Sequence, residues 1–342
     1  MMKNRAAVLH APHDIRIEDR PIPRPGLREV LIEIKAVGVC GSDVHYYEHG
    51  RIGSYVVRQP LILGHEAAGV IVEVGEGVDL GRVGERVAIE PGIPDGVCEH
   101  CRSGHYNLCP NIRFFGTPPI DGAFSNYVTV PESFAYTLPD QMSDEEGALI
   151  EPLSVGVWAC RKAQLQGADR LLITGAGPIG ILAMKVALAL GATEVTMTDV
   201  YPQRLELARK LGATRTVNVA EEALARARVE VDVLIECSGN QAALMDGICS
   251  LRPAGKAVAV GMNPGEEVSV PMSFLQNREI TLTGTFRYAN TYVDAIALVA
   301  SGHIDLKPIV TGHYTLEETE QALQATKQNP SNLKSVVVPK QS

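Results

Sequence analysis

The sequence predicts an α/β protein that combines a doubly wound parallel sheet with a second, β-rich domain. From residue 151 onward, short apolar strands alternate with helical segments, as in consecutive βαβ units. Before that point, short strand-like runs are separated by glycine-rich turns, and we find no amphipathic helix of any length ahead of residue 144. The length of 342 residues agrees with two domains of ordinary size.

Composition excludes several classes of protein. Hydrophobic residues make up 45% of the chain and charged residues 21%, so neither a disordered chain nor a coiled coil is expected. The formal charge of −9 argues against nucleic-acid binding, which usually needs a basic face. No apolar run reaches the roughly 18 residues that cross a bilayer, and the first residues lack the apolar segment of a secretory signal. We therefore expect a cytoplasmic protein with no membrane or nucleic-acid partner.

The β-rich domain is predicted from three runs rich in β-branched residues, at 30–39, 67–74 and 85–89. The end of the chain returns to a similar mixed sequence pattern, which indicates that it completes this first domain. The predicted domains are 1–153 together with 286–342, and 154–285.

The doubly wound domain is predicted from four strands, at 171–174, 194–199, 231–237 and 256–261. The helices between them are predicted at 178–190, 202–211 and 241–250. Pro178 suits the first turn of a helix, where its missing N–H would have no partner. Gly191 and Gly212 follow helices at the position where glycine commonly ends them.

A glycine motif indicates what this domain binds. The segment GAGPIG at 175–180 is a G-x-G-x-x-G that follows a strand and opens a helix, the context that dinucleotide binding requires. Gly175 would permit the tight turn, Gly177 would admit the pyrophosphate, and Gly180 would let the helix pack on the strand. The helix N-terminus would offer N–H groups to the phosphates. This arrangement predicts a Rossmann domain.

The next strand carries a residue that selects the cofactor. Asp199 lies 19 residues beyond Gly180, at the end of that strand. A carboxylate there can accept hydrogen bonds from the adenosine ribose and would repel a 2′-phosphate, which favours NAD over NADP. Arg204 could instead receive that phosphate. We give Asp199 more weight, because its charge lies at the ribose hydroxyls themselves.

The cysteines indicate metal binding. The chain has seven cysteines, an odd number that argues against a framework of disulfides. Cys98, Cys101 and Cys109 lie within twelve residues, which suggests a metal site in a reducing compartment. Cys160, Cys237 and Cys249 are expected to pack as small apolar residues.

A second set of possible ligands is more dispersed. Cys40 precedes His65 by 25 residues, and Glu66 follows directly. Thiolate, imidazole and carboxylate are all zinc ligands, and a catalytic zinc needs three of them with one position open. The spacing alone does not place Cys40 beside His65, and each residue taken singly could serve only in packing or on the surface.

Longer strings carry a family resemblance. Gly64-His65-Glu66, followed by Gly69, Gly75 and Val78, resembles the zinc signature of the zinc-containing medium-chain alcohol dehydrogenases. Within that family the chain looks most like the polyol dehydrogenases, through CGSDVHY at 40–46, HGRIG at 49–53, ALIEPLSV at 148–155 and GTFRY at 284–288. The resemblance covers essentially the whole chain. It implies a GroES-like catalytic domain beside the Rossmann domain.

The resemblance implies zinc-dependent oxidation of a polyol, such as sorbitol or xylitol, to a ketose with NAD⁺ as the hydride acceptor. A rival reading is a zinc- and NAD-dependent dehydrogenase of another vicinal alcohol, such as L-threonine or 2,3-butanediol. Two zinc-free readings, a silent nucleotide-binding member and a quinone reductase, are disfavoured because the ligand residues are present. The resemblance further implies a homotetramer, although dimers also occur in the family.

For the catalytic zinc, the resemblance implies the ligands Cys40, His65 and Glu66. Glu151 would bond the water on the metal or alternate with Glu66 as a ligand, and the sequence leaves that choice open. Ser42 and His45 would carry the proton away, although the water and Glu151 could serve instead.

For the cysteine cluster, the resemblance implies a structural zinc. Relatives with this zinc carry four cysteines separated by two, two and seven residues, and the first of those positions here is Asp95. A carboxylate can bind zinc, so Asp95 with Cys98, Cys101 and Cys109 forms a possible site. A lobe without metal, with three reduced thiols, is the alternative. His100 or His105 could replace Asp95, but their spacing fits less well.

The resemblance also implies contacts with the substrate and the cofactor. The implied substrate contacts are Tyr46, Ile52, Tyr55, Phe114, Thr117, Glu151, Arg287 and Tyr288. As alternatives, Arg287 could form a surface ion pair, and Tyr46 and Tyr288 could be packing residues. The implied cofactor contacts are Gly175, Gly177, Pro178, Ile179, Gly180, Asp199, Arg204, Cys237, Val260, Gly261, Met262, Thr285, Phe286 and Arg287.

Overall fold

The computed structural model describes residues 3–263 and 267–339. The chain divides into two compact units, Met1–Glu151 with Tyr292–Ser342, and Pro152–Thr291. No helix among the described residues has the length and apolar character needed to cross a bilayer.

The first stretch of the chain is mostly strand. Its strands are β1 (Asn4–Ala11), β2 (Asp14–Arg20), β3 (Glu29–Gly38), β4 (Arg51–Ile52), β5 (Tyr55–Val56), β6 (Leu61–Ile62), β7 (Glu66–Val74), β8 (Arg86–Ile89), β9 (Gly92–Ile93), β10 (Arg113–Phe114), β11 (Tyr127–Pro131) and β12 (Ala135–Thr137). Its helices are α1 (Gly41–His49), α2 (Glu99–Arg102) and α3 (Asp144–Ala148).

The middle stretch alternates strands and helices. Its strands are β13 (Arg170–Thr174), β14 (Glu194–Asp199), β15 (Arg215–Asn218), β16 (Val231–Glu236), β17 (Leu251–Ala259) and β18 (Thr281–Gly284). Its helices are α4 (Ile150–Ala163), α5 (Pro178–Ala189), α6 (Pro202–Lys210), α7 (Gln241–Cys249) and α8 (Met272–Asn277). The last stretch adds α9 (Tyr292–Ala300), β19 (Val310–Thr315), α10 (Thr319–Gln328) and β20 (Lys334–Val338).

The larger sheet of the first unit joins both ends of the chain. Its order is β12-β8-β7-β3-β20-β19, and β11 also pairs with β3. Gly38 at the end of β3 pairs with Glu66 on β7 and with Val336 on β20. This register brings the residues that follow β3, the start of β7 and the start of β20 to one place in the sheet. Fully buried side chains such as Ile32, Ile71 and Phe124 form the core behind it.

Helix α1 is an element that the sequence analysis did not predict. Its sequence, GSDVHYYEH, shows no apolar periodicity, because the residues it buries are Asp43, Tyr46 and Tyr47. The Asp43 carboxylate accepts a hydrogen bond from the backbone N–H of Cys40 and so fixes the start of the helix. Gly50, in the left-handed conformation with φ 67°, ends it.

The second unit confirms the predicted doubly wound sheet. Its six strands are parallel and lie in the order β15-β14-β13-β16-β17-β18, the order of a Rossmann domain. The sequence analysis missed the two edge strands, β15 and β18, because each has only four residues and no apolar run. It also began β17 five residues late, because Arg252, Pro253 and Gly255 look like turn residues.

Candidate functional site

The structure brings Cys40, His65 and Glu66 together. One side-chain ligand atom from each residue lies within 4.8 Å of the others. Cys40 caps α1 just after the end of β3, and Glu66 opens β7, which pairs with β3, so the register of these two strands brings the residues together. A thiolate, an imidazole and a carboxylate at this spacing form a donor set that zinc accepts.

Asp43 is a functional residue that the sequence analysis did not identify. It is completely buried, and one carboxylate oxygen lies 3.4 Å from Nδ1 of His65 and accepts the backbone N–H of Gly64 at 3.0 Å. Burial opposes ionisation of both side chains, but the charges of Asp43 and Cys40 hold the pKa of His65 well above its ordinary value. A carboxylate on Nδ1 orients the ring and leaves Nε2 for a metal. The signal was present in the string CGSDVHY, where Asp43 stands three residues after Cys40.

Lys334 is the second residue that the sequence analysis missed. Its ammonium group donates to Oε1 of Glu66 at 2.6 Å and to the carbonyl oxygen of Val39 at 2.9 Å. The other carboxylate oxygen of Glu66, Oε2, is buried and has no hydrogen-bond partner. A buried carboxylate oxygen without a partner is costly, and a metal cation held with Cys40 and His65 would satisfy it. The residues therefore fit a zinc ion.

Glu151 lies close to this group without belonging to it. It is buried in the first turn of α4, and its charge is one of those that raise the pKa of Lys334 despite the opposing effect of burial. Among the described residues, the three-ligand cluster contains Cys40, His65 and Glu66 but not Glu151. The geometry therefore favours Glu66 as the ligand and Glu151 as a neighbouring carboxylate in this state.

The candidate proton-transfer residues lie on α1. Ser42 stands in its first turn, and His45 lies one turn further along. The ring of His45 packs edge-on against His49 at a centroid distance of 4.6 Å. Partial burial and the neighbouring His49 lower the pKa of His45 below its ordinary value. His45 is therefore mostly neutral near pH 7 and can accept a proton.

The predicted substrate contacts fall in both units. Tyr46 is buried on α1, and the ring of Phe114 packs against His65 at 5.4 Å. Thr117 follows Phe114 in a turn closed by its own N–H. Ile52 and Tyr55 pair across the β4–β5 hairpin, where Tyr55 is 43% exposed.

The remaining two substrate candidates belong to the second unit. Arg287 has a positive φ of 51° and lies over the ring of Phe286 at 4.8 Å. Tyr288 beside it is buried.

The cysteine cluster also assembles. The ligand atoms of Asp95, Cys98, Cys101 and Cys109 lie within 4.8 Å of one another. The Sγ atoms of Cys98 and Cys101 are 3.4 Å apart, and Cys101 Sγ lies 3.4 Å from Oδ1 of Asp95. Hydrogen bonds from Asn111 and from the backbone of Cys98 hold the pKa of the Asp95 carboxyl well below its usual range. The arrangement selects Asp95 over the two histidines as the fourth member.

The glycine motif borders a cavity of about 500 Å³ in the second unit. Its lining includes Gly175, Gly177, Asp199, Arg204, Cys237 and Ser238. Gly175 has φ 90°, and a Cβ atom on Gly180 would stand 1.9 Å from the carbonyl oxygen of Gly175, so both positions require glycine. Pro178 and Ile179 form the first turn of α5 beside the cavity.

Asp199 is fixed by its surroundings. Its two carboxylate oxygens accept the backbone N–H groups of Ala176, at 2.9 Å, and Tyr201, at 3.0 Å. The guanidinium of Arg204 lies 4.0 Å from the same carboxylate and over the ring of Tyr201 at 5.0 Å. Arg204 therefore has two local partners, while Asp199 stays on the wall of the cavity.

The remaining predicted cofactor contacts lie at the carboxyl ends of neighbouring strands. Val260 and Gly261 follow β17, where their N–H groups donate to the carbonyl oxygen of Glu236, and Met262 is exposed. Thr285 and Phe286 follow β18.

Glu236 is a further residue that the sequence analysis missed. It is buried and accepts the N–H groups of Ser238 and Gly239, and so shapes the loop along the cavity.

Two family models match the chain. Residues 26–140 match the alcohol dehydrogenase GroES-like domain, and residues 178–301 match the zinc-binding dehydrogenase domain. These two matches correspond to the β-rich and doubly wound parts of the sequence.

Known proteins resemble the chain along its whole length. The sorbitol dehydrogenase of Bacillus subtilis is 46% identical over 340 residues, which cover 98% of this chain and 96% of the relative. The D-xylulose reductase of Saccharomyces cerevisiae is 42% identical and covers 97% of each chain. The crystal structure of L-idonate 5-dehydrogenase from Escherichia coli K-12 superposes with a TM-score of 0.92 at 31% identity, covering 98% of both chains.

Proposed function

Because this chain belongs to the zinc-containing medium-chain alcohol dehydrogenase family, in its polyol dehydrogenase branch, we propose that it oxidises a polyol such as sorbitol or xylitol to a ketose, with NAD⁺ accepting the hydride. The single observation that carries the proposal is the convergence of Cys40, His65 and Glu66, together with a buried carboxylate oxygen of Glu66 that has no hydrogen-bond partner. The relatives named for sorbitol and D-xylulose supply the substrate class.

Each residue of the group has a separate task. Cys40, His65 and Glu66 would hold zinc, which supplies Lewis acidity toward the alcohol, while NAD⁺ supplies the hydride acceptor. Asp43 holds the imidazole of His65 in one tautomer. Glu151, the buried carboxylate beside this group, would accept a hydrogen bond from the substrate hydroxyl.

The hydroxyl proton leaves through α1. Ser42 would take part in a relay, and His45 would exchange the proton with solvent. Since the pKa of His45 is lowered, its neutral form is ready to accept the proton near pH 7. Oxidation thus releases one hydride to the cofactor and one proton to water.

A polyol requires polar partners in the pocket. Tyr46, Arg287 and Tyr288 would bond its remaining hydroxyl groups. A site built to hydrogen-bond those groups rejects a simple monoalcohol, because its own polar atoms would be left unpaired. We therefore expect ethanol to be a poor substrate.

The decisive experiment is an assay of NADH formation by the zinc-loaded protein. Sorbitol, xylitol, ribitol, galactitol, L-threonine, 2,3-butanediol and ethanol are compared, each with NAD⁺ and NADP⁺. Turnover of one or more polyols with NAD⁺ supports the proposal. Turnover restricted to L-threonine or 2,3-butanediol would keep the zinc chemistry and reject the polyol pocket.

Cys40→Ser tests the ligand assignment. We expect turnover to be lost and NADH binding to be retained, because the cofactor cavity is built from residues of the second unit. Metal content and NADH fluorescence titration provide the measurements. Full turnover with a full complement of zinc would refute Cys40 as a ligand.

We also propose a cytoplasmic homotetramer. All seven cysteines are free thiols, as expected in a reducing compartment. Strand β18 forms one edge of its sheet and exposes three of its four residues, which offers an edge for pairing with a second copy. Light scattering coupled to size-exclusion chromatography measures the assembly, and a monomer would contradict it.

A further inference from the structure

We propose that Lys334 is a positioning residue that restrains Glu66 as a metal ligand and so keeps the metal exchangeable at the Cys40–His65–Glu66 group. The inference rests on the proposed metal site. It assigns a role to a residue outside the ligand set and outside the substrate and cofactor contacts.

The contact between Lys334 and Glu66 is short and enclosed. The Nζ to Oε1 distance is 2.6 Å, and the two side chains are 2% and 1% exposed. The carbonyl oxygen of Val39 accepts a second hydrogen bond from Nζ, at 2.9 Å. Two acceptors, one at the start of β7 and one just after β3, therefore fix the position of the ammonium group. One carboxylate oxygen of Glu66 is committed to Lys334, and only Oε2 remains for a metal.

The sheet holds this arrangement in place. β20, which begins at Lys334, pairs with β3, and β3 pairs with β7, which begins at Glu66. A Cβ atom on Gly38 would lie 2.1 Å from Oε2 of Glu66, so the carboxylate passes directly over a glycine. Glu66 is thus confined by the backbone on one side and by Lys334 on the other.

The charge of Lys334 acts against a bound cation. Among residues 3–263 and 267–339, Lys334 is the only Lys or Arg whose side chain is fully buried. Its buried charge repels a divalent ion, and it competes with that ion for the charge of Glu66. A neutral side chain at position 334 would remove both effects. The confinement of Glu66 by β7 and Gly38 would remain, so the ligand would keep its orientation.

A purely structural role for Lys334 makes a different prediction. If Lys334 only neutralised a buried carboxylate during folding, its removal would lower stability and leave the metal no more tightly held. The rate of metal release separates these two roles, because restraint of Glu66 predicts slower release when the charge is removed.

The experiment measures zinc release from the loaded protein into an excess of 4-(2-pyridylazo)resorcinol. The kinetic phase of zinc release that belongs to this site is the one absent from Cys40→Ser. For Lys334→Met we expect release slowed by about tenfold or more, because a buried positive charge close to the ion is removed. In a Glu66→Gln background the same substitution should slow release much less, because only the direct repulsion between the Lys334 charge and the ion is then removed. Lys327→Met, which removes an exposed lysine paired with Glu48, is the matched control and should leave the rate unchanged.

The outcomes decide the proposal. Unchanged or faster release in Lys334→Met overturns it, as does equal slowing with and without Glu66. If Lys334→Met does not fold, Lys334→Gln keeps a donor for Val39 without the charge, and the same slowing is expected. Release is measured without polyol or NAD⁺, so a failure of the proposed substrate in the turnover assay leaves this result standing, and the reverse also holds.

Discussion

At the residue scale, the orientation of the His65 imidazole depends on a completely buried carboxylate. Asp43 faces Nδ1 of His65 and the N–H groups of Cys40 and Gly64, so one side chain organises two of the three candidate ligands. The pKa of Asp43 is lowered even though burial alone would raise it, since the charge of His65 and these hydrogen bonds outweigh the loss of solvent.

Asp43→Asn tests this dependence. The amide keeps the shape of the side chain but removes its charge, so we expect zinc affinity at this site to fall by about 10–100-fold. Chelator competition measures the affinity, and Asp121→Asn, which alters a carboxylate bonded to Ile62, is the control. An unchanged affinity in Asp43→Asn would show that His65 needs no orienting group.

Asp199→Ser tests the choice of cofactor. Loss of hydrogen bonds to a charged acceptor costs about 1.5–3 kcal/mol, so kcat/KM with NAD⁺ should fall by roughly 10–100-fold. Since Arg204 stays nearby, the value with NADP⁺ should rise. Both values come from initial-rate kinetics with one substrate. A fall with both cofactors would mean that Asp199 acts mainly by holding the N–H groups of Ala176 and Tyr201.

The sequence could identify Cys40, His65 and Glu66 as candidate ligands because they lie in sequence motifs that resemble those of the zinc-containing alcohol dehydrogenases. It could not identify Lys334, which lies 268 positions from Glu66 and stands in no recognisable motif. Only the pairing of β20 with β3 reveals the contact.

At the scale of elements, hydrophobic periodicity predicted most of the helices and strands that are long and apolar. β14 was predicted with the bounds that the structure has, and α5 begins at the predicted Pro178. The sequence analysis missed α1 and β15 for the same reason. Both are built from polar residues whose conformation is set by tertiary hydrogen bonds and pairing rather than by an apolar face.

The lobe around α2 holds the cysteine cluster and gives a prediction about metal content. Oδ1 of Asp95 accepts the N–H groups of Val97 and Cys98, so its carboxylate shapes the turn as well as completing the cluster. Asp95→Asn keeps an oxygen for the turn and loses the charge. We expect two zinc ions per chain in the native protein and one in Asp95→Asn after dialysis against a chelator.

Elemental analysis provides the count for that prediction. Asp95→Cys should restore the second ion, because an all-sulfur site binds zinc readily. A native protein with a single zinc ion would show that this lobe is held without metal.

At the scale of the whole molecule, one buried carboxylate connects distant parts of the first unit. Glu90 follows β8 and accepts the hydroxyl groups of Tyr106, at 2.7 Å, and Tyr136, at 2.9 Å. Tyr106 belongs to the cysteine lobe, and Tyr292, from the returning chain, donates to the neighbouring carbonyl of Ile89. Burial raises the pKa of Glu90, although the two tyrosine hydroxyls act in the opposite direction.

This raised pKa predicts how stability changes with pH. A carboxyl group with a raised pKa stabilises the fold below its ordinary pKa of 4.5, and this contribution is lost as pH rises through the raised value. Glu90→Gln does not ionise, so its stability relative to the native protein should increase as the pH rises from 4.5 to neutrality. Thermal unfolding at several pH values measures the difference, with Glu76→Gln at an exposed site as the control. A difference that is constant with pH would contradict the assignment.

The place of β20 in the sheet has a consequence for protein synthesis. The ribosome makes Glu66 early and Lys334 near the end, 268 residues later. Throughout that interval the nascent chain carries Cys40, His65 and Glu66 without the buried ammonium group. The second unit is made in between, and domains generally fold as units during synthesis. On the role proposed for Lys334, an ion that enters before Lys334 docks meets no opposing charge, so metal uptake during synthesis is expected to be faster than uptake by the finished protein without metal.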